Sequence, residues 1–424
     1  MLRTLSFAIG MTVSAAAVSA DLLPPDAGFL DQVAAFGITQ ENWDSGEFAA
    51  VTFPQAYRFT RHYEISAGDA VAPEQWRDET GALDLAALTA RDADGVHDLQ
   101  TILRDRLLNH SMVVLKGDRL LHQHFWDGMT SASTHLDMSV TKSFTATLAG
   151  IAAAEGLLDM SKPVEHYLPE YAATAFGGVS VQDVADMNSG LDIPTPPFMS
   201  WDPKFTQSQE WNGPNDSGLS GINEYLQTLS ERKYEPGTHY QYQDPNTELL
   251  GLVTEKVTGT GLAAFMQERL WSRLGAEGNA YWMADPRGYT VASGGLNMRT
   301  RDLARVGRMF LNDGRNHLGE QIVPQSFLDA IWEGNDRVRA AWSVGKEAAL
   351  ASDGWYKDQI RILNIKGHKM MVFIGIHGQV LVMEKETGTV IAMNGGYPQT
   401  ETVRMNTLLF LEVVPALLDA TSGL

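Results

Sequence analysis

The stretch that most constrains this chain runs from Leu136 to Leu157, LDMSVTKSFTATLAGIAAAEGL. It is an uninterrupted helix-forming run, rich in Ala and Leu. Leu148, Ile151, Ala152 and Leu157 recur at helical spacing, which predicts a buried or half-buried helix. Ser139 falls at its first turn, where Ser is a favoured start residue and the first backbone N–H groups are unpaired. Lys142 lies three residues on, on the same side and one turn along. A hydroxyl and an amine so placed can touch. If burial keeps the amine neutral, it can take the hydroxyl proton and make a serine nucleophile.

Ser-x-x-Lys alone is weak evidence, because ordinary Ser and Lys usage gives roughly one or two chance matches in a chain this long. Two more occur, Ser230 to Lys233 and Ser343 to Lys346. Ser230 sits among Glu231, Arg232 and Lys233 and reads as a solvated helix end. Ser343 precedes Gly345 and reads as a loop. Only Ser139 combines a helix start with an apolar helix able to bury the lysine. Its bland alternative is an N-cap beside a surface lysine.

Charge narrows the partners. The formal net charge is −20 over 424 residues, so nucleic acid or an anionic membrane surface is an unfavourable partner. Charged residues make up 20% and apolar ones 44%, a globular composition. Cysteine is absent, which excludes disulfides, thiolate metal sites, a cysteine nucleophile and a lipid anchor on cysteine. Residues 1–20 read as a secretory signal peptide: Arg3 is the basic region, Leu5 to Ala17 the apolar region and Val18-Ser19-Ala20 the cleavage site. The apolar run is too short for a stable membrane anchor. An exported, periplasmic or secreted protein is expected.

Residues 21–95 are broken by Pro24-Pro25, Gly46, Pro54 and Pro73 and read as an N-terminal extension with few regular elements. A helix is predicted over 96–110, on the stripe Leu99, Ile102, Leu103 and Leu107. A hairpin follows, Met112 to Leu115 and Leu120 to Phe125. His122 and His124 share one face of it; a third metal ligand is lacking, so an ordinary strand face is expected. Residues 192–221 are rich in Pro, Gly, Asn, Asp and Trp without periodicity, as in a loop that lines a pocket. Helices are predicted at 223–232, 247–258, 262–274 and 301–312. Strands are predicted at 373–376, 380–384 and 390–394, and a closing helix at 402–418. Strands at both ends, short loops between them and a mostly helical block over about 140–290 predict an α+β fold. Its antiparallel sheet is built from both ends of one domain, 96–424.

No G-x-S-x-G, H-E-x-x-H, P-loop or G-x-G-x-x-G signature is present. What remains resembles the serine β-lactamase-like, penicillin-recognising superfamily, and above all its 6-aminohexanoate-dimer hydrolases and related esterases. Four ordered stretches carry the resemblance: His135 to Gly156, Tyr240 to Thr260 (YQYQDPNTELLGLVTEKVTGT), Ser293 to Leu311 (SGGLNMRTRDLARVGRMFL) and Ile374 to Val382 (IGIHGQVLV). It implies a β-lactamase/transpeptidase-like fold with Ser139 as acylated nucleophile and Lys142 as its general base. Tyr242 matches the tyrosine that shuttles a proton to the leaving group, and Tyr240 is the alternative. The oxyanion site would be the backbone N–H groups of Ser139 and Ile376.

Asn246 matches an asparagine of the amide hydrolases. Many relatives carry Tyr-x-Asn, whereas Asp244 holds that third position here. β-Lactamases and penicillin-binding proteins carry Lys-Thr-Gly where this chain has Phe373-Ile374-Gly375, so the cation that attracts a substrate carboxylate is gone. His377 is placed either to replace that charge in part or to serve as an ordinary strand-turn histidine. Trp201, Asp202, Trp211 and Trp355 are candidates to line the substrate pocket, or to pack. The expected function is cleavage of a linear amide or small carboxylic ester, a small-molecule substrate, without cofactor or metal. A β-lactamase or D-amino-acid peptidase, and a catalytically silent binding protein, are the alternatives.

Overall fold

The computed structural model describes residues 21–197, 199, 201–399 and 402–424; the signal-peptide reading of residues 1–20 falls outside them. The main sheet has eight strands. In spatial order they are Trp355–Lys357, Ile360–Ile365, His368–Gly375, Gln379–Glu384, Thr389–Gly395, Asn109–Lys116, Arg119–Phe125 and Arg77–Asp78. All neighbours are antiparallel except the last pair, Arg77–Asp78 beside Arg119–Phe125. The two ends of the chain meet where Ile391 pairs with Val114.

Side chains alternate across a strand, and here both faces are covered. Phe373, Leu381, Val390 and Val113 face one core, with Phe144 of the helix Val140–Ala154 and Phe310 of the helix Thr300–Leu311. Val372, Val380, Val382 and Val114 face the other, with Leu103, Leu409 and Leu417. This double covering explains why the central strands read as continuous apolar runs.

A second sheet of five antiparallel strands runs Leu22–Leu23, Arg61–Ile65, Ala280–Ala284, Leu296–Arg299, Thr134–Leu136. It ends one strand three residues before Ser139 and begins another three residues after Ser293. The N-terminal segment, expected to be an extension with few regular elements, contributes the strands Leu22–Leu23 and Arg61–Ile65 to this sheet.

The predicted helix over 96–110 is shorter in the structure. Gly95–Asp98 pairs as a hairpin with Thr89–Asp92, Asp98 caps the helix by accepting from Thr101 N–H, and Asn109 already lies in a strand.

Candidate active site

The helix Val140–Ala154 is buried along nearly its whole length. Hydroxyls on it stitch it to the 292–296 segment: Thr145 Oγ1 donates to Ala292 O at 2.8 Å, and Leu296 N–H donates to Thr141 Oγ1 at 3.0 Å. Thr141 and Thr145 are one turn apart, on the side that also carries Lys142. That anchoring sets the Ser293 carbonyl against the lysine.

Ser139 stands at the N-cap position, yet its dihedrals are helical and its side chain caps nothing. The hydroxyl is directed instead at Lys142 Nζ, 2.8 Å away. Met138, the residue before it, has a left-handed φ of 47°, a conformation that costs a β-carbon-bearing residue on the order of 1 kcal/mol. Lys142 is only 1% exposed. Its Nζ donates to Ser293 O at 2.7 Å and lies 2.7 Å from Asp244 Oδ1.

Asp244 opens the helix Asp244–Thr258, and Lys142 Nζ sits 5.0 Å from the centre of the Tyr242 ring. Tyr242 is half-buried, lies under the Arg361 guanidinium at 4.7 Å and meets Tyr356 edge-on. Tyr240 takes another place: its hydroxyl donates to Glu347 at 2.7 Å, and burial pushes its phenol well up. Of the two tyrosines, Tyr242 is the one whose ring faces the lysine.

One turn beyond Asp244, Glu248 is buried and gathers the backbone N–H groups of Ala292 and Ser293, each at 3.0 Å, and the Ser293 hydroxyl at 2.6 Å. It holds the loop whose carbonyl holds the lysine. Burial lifts its carboxyl to about 7, Asp244 adds to the lift, and the Ser293 and Ala292 donors oppose it.

A folded-state value raised above the unfolded one means that the unfolded chain releases this proton first as pH rises. The group therefore subtracts stability between about pH 4.5 and 7. Glu248→Gln does not titrate there. Its stability relative to wild type is expected to improve by about 3 kcal/mol between pH 5 and pH 8, read as denaturation midpoints of both proteins across that range. A pH-independent difference would show that Glu248 is ionised throughout.

The strand His368–Gly375 ends against the turn that leads into Ser139, since a β-carbon on Gly375 would stand 2.5 Å from Asp137 O and 3.0 Å from Met138 Cβ. Ile376 follows, packed on the cluster that includes Met138. His377 is turned away from solvent: its Nδ1 meets Tyr397 O at 2.6 Å, its ring is edge-on to Phe53, and burial lowers its basicity. At neutral pH it supplies no charge to an incoming carboxylate.

The remaining candidates scatter. Asn246 is fully buried, with neither side-chain amide atom hydrogen-bonded among the described residues. Trp355 donates its indole N–H to Ile331 O at 2.8 Å and stacks under Arg339. Trp211 donates to Asp44 and packs on Trp43 of the N-terminal segment. Asp202 caps the helix Pro203–Ser208 through Lys204 N–H. Trp201 is exposed. Sequence reasoning missed Ser293 and Glu248; the signal for Glu248 was an acid directly before the apolar run Leu249 to Val253. No group of metal-ligating side chains occurs among the described residues. The His122 and His124 rings hydrogen-bond each other at 2.9 Å.

Comparison with known proteins gives the family and the fold. A family profile described as "Beta-lactamase" matches residues 86–413. The 6-aminohexanoate-dimer hydrolase of Paenarthrobacter ureafaciens is 31% identical over 325 residues, 75% of this chain and 79% of that enzyme. A β-lactamase of Providencia stuartii is 33% identical over 138 residues, 32% of this chain and 31% of its own. Among solved structures, a Bacillus anthracis protein provisionally assigned as a 6-aminohexanoate-dimer hydrolase superposes with a TM-score of 0.78 at 22% identity, over 92% of this chain and 97% of that one. This chain belongs to the beta-lactamase family of serine hydrolases and has its β-lactamase/transpeptidase-like α+β fold.

Proposed function

We propose that this protein cleaves a linear amide or a small carboxylic ester through an acyl-enzyme on Ser139. The observation that carries the reading is the 2.8 Å contact between Ser139 Oγ and the Nζ of a lysine that is 1% exposed. A serine hydroxyl is a poor nucleophile until a base takes its proton, and a desolvated amine in contact with it is such a base. Ser139 attacks the carbonyl carbon, and its proton passes to Lys142. The oxygen that gains charge is met by the N–H groups of Ser139 and Ile376. Tyr242, beside the lysine, returns a proton to the departing amine or alcohol, and water releases the acyl group.

The β-lactam alternative is weaker. Phe373-Ile374-Gly375 offers no cation where a penicillin carboxylate would dock, and His377 is tied to Tyr397 O. The basic and apolar pattern of residues 3–20 supports the further reading that the protein works outside the cytoplasm.

The test is hydrolysis of p-nitrophenyl acetate, p-nitrophenyl butyrate and the linear 6-aminohexanoate dimer, together with labelling by a fluorophosphonate probe and location of the adduct by mass spectrometry. Turnover of at least one substrate with the adduct on Ser139 is expected. A probe adduct on another residue would reject this nucleophile. A folded protein that neither labels nor turns over would favour a binding protein on the same scaffold.

A further inference from the structure

The N-terminal segment reaches the turns on which the proposed oxyanion donors stand. Trp43 donates its indole N–H to Trp211 O at 2.8 Å, and Asp44 accepts from Trp211 and Asn212 at 2.8 and 2.9 Å. The chain then lies against the 396–398 segment, where a β-carbon on Gly396 would stand 2.9 Å from Ala49 Cβ. It continues into the short helix Phe53–Phe59, and Thr134 Oγ1 donates to Pro54 O at 2.7 Å. Thr134–Leu136 is the strand that leads into Ser139.

Phe53 is fully buried among these contacts. Its ring stands perpendicular to the His135 ring, 5.7 Å between centroids, and edge-on to the His377 ring at 5.3 Å. His135 belongs to the strand before Ser139, and His377 directly follows Ile376. One aromatic ring thus spans the two stretches of backbone that carry the Ser139 and Ile376 N–H groups. Met138 and Ile376 pack on the same apolar cluster as Phe53.

We propose that Phe53 is a positioning residue that sets the spacing between the Ser139 and Ile376 N–H groups, so that the N-terminal segment completes the oxyanion site. The proposal rests on the serine-hydrolase reading above. His377 has a left-handed φ of 64°, a conformation that persists only while its surroundings enforce it. Three contacts do so: Nδ1 donates to Tyr397 O at 2.6 Å, Tyr397 N–H donates to His377 O at 3.1 Å, and the Phe53 ring fills the space beside the imidazole. A smaller side chain at Phe53 leaves a void between His135 and His377, and the turn at Ile376 relaxes into it. An oxyanion donor must lie about 2.7–3.1 Å from the charged oxygen, and a misplacement of about 1 Å costs on the order of 10²-fold. The ground-state carbonyl is less demanding than the oxyanion, so the loss falls on kcat and spares KM.

The test compares wild type with Phe53→Leu and Phe53→Met, and with Phe29→Leu as control. Leucine and methionine keep the site apolar and fill less of it; methionine, unbranched and adaptable, serves if the leucine variant does not fold. Phe29 belongs to the same cluster, but its ring meets Phe59 and Arg58. Thermal midpoints establish which variants are folded. The readouts are kcat and KM for p-nitrophenyl butyrate and inhibition by an alkyl trifluoromethyl ketone. In the ketone adduct Ser139 Oγ bonds to the carbonyl carbon, the serine proton passes to Lys142, and the ketone oxygen takes the negative charge between the two donors. A folded Phe53 variant is expected to lose about tenfold in kcat, with KM within about twofold of wild type, and to bind the ketone about tenfold more weakly. Phe29→Leu is expected to lower the thermal midpoint and keep kcat and ketone inhibition within about twofold of wild type. A folded Phe53 variant with wild-type kcat and ketone inhibition overturns the proposal. So does an equal loss in Phe29→Leu, or a raised KM at unchanged kcat, which would make the segment a substrate contact. A fluorophosphonate adduct on Ser139 separates the two levels. Wild type that forms it, with Phe53 variants at full kcat, defeats this proposal alone; wild type that never forms it defeats the serine-hydrolase reading itself.

Discussion

Ser139→Ala and Lys142→Met are expected to fall to the same residual rate, each by about 10³-fold or more, with the double variant no lower. In the proposed mechanism the two side chains act as one unit. Without the hydroxyl there is no acyl-enzyme, and without the amine the hydroxyl keeps its proton. Losses within such a unit do not add. Lys142→Met suits the test because methionine is unbranched and fills a similar volume in a site that is 1% exposed. The substitution leaves Asp244 without its ion pair, but that carboxylate side chain is 42% exposed and can hydrate. The folded state should therefore survive, which a thermal midpoint would verify. Burst kinetics with p-nitrophenyl butyrate make the assay specific, because they report acylation separately from deacylation. A folded Lys142→Met protein that keeps more than a tenth of the acylation rate would make the lysine a buried structural plug and move the base to Tyr242.

How much of this was legible before the fold was seen differs from part to part, for physical reasons. The helix that follows Ser139 was legible because its signal is local: helical periodicity, a start residue and a lysine one turn on. The sheet strands near both chain ends were legible from short apolar runs bounded by turns. The hairpin Trp355–Lys357 with Ile360–Ile365 was not read, although Ile360 and Ile362 do alternate with polar Arg361. Its turn holds Asp358 at φ 50° and Gln359 at φ 60°, left-handed positions that usually announce themselves with Gly or Asn.

The lysine's partners were hidden for a different reason. Ser293 acts through its carbonyl, which every residue type carries, and it is 151 positions from Lys142. Asp244 stood out in the sequence only as a missing asparagine amide. Its role as the lysine's counter-ion depends on how two helices lie together, and spacing cannot report that. Trp355 and Trp211 show the converse error. Tryptophans near a site in sequence were candidates for a pocket wall, yet the chain uses one to hold Ile331 O and the other to fasten the N-terminal segment at Asp44.

Gly375→Ala is expected to lower kcat by about 10²- to 10³-fold, the size of effect seen when one oxyanion donor is removed. The glycine has an ordinary extended conformation, with φ −125° and ψ 148°, so alanine is acceptable to its own backbone. The obstacle is space. The new β-carbon would stand 2.5 Å from Asp137 O and 3.0 Å from Met138 Cβ, and the first of these is backbone that cannot swing aside. Met138 already occupies the left-handed region, so the turn has little room to yield. The strand end must retreat instead, which in the proposed mechanism carries the Ile376 N–H away from the oxygen of the carbonyl whose carbon Ser139 attacks. A displacement of under an ångström is enough to spoil a donor that must lie about 2.7–3.1 Å from the oxyanion.

Gly388→Ala is the control. It sits at a turn tip with φ 69° and nothing near its would-be β-carbon. It should cost stability through the strained φ, by about 1 kcal/mol, and leave the rate per folded molecule unchanged. If Gly375→Ala behaved like Gly388→Ala, losing stability while keeping kcat, the Ile376 N–H would not be the second oxyanion donor. The donor would then have to be sought further along the 376–379 turn.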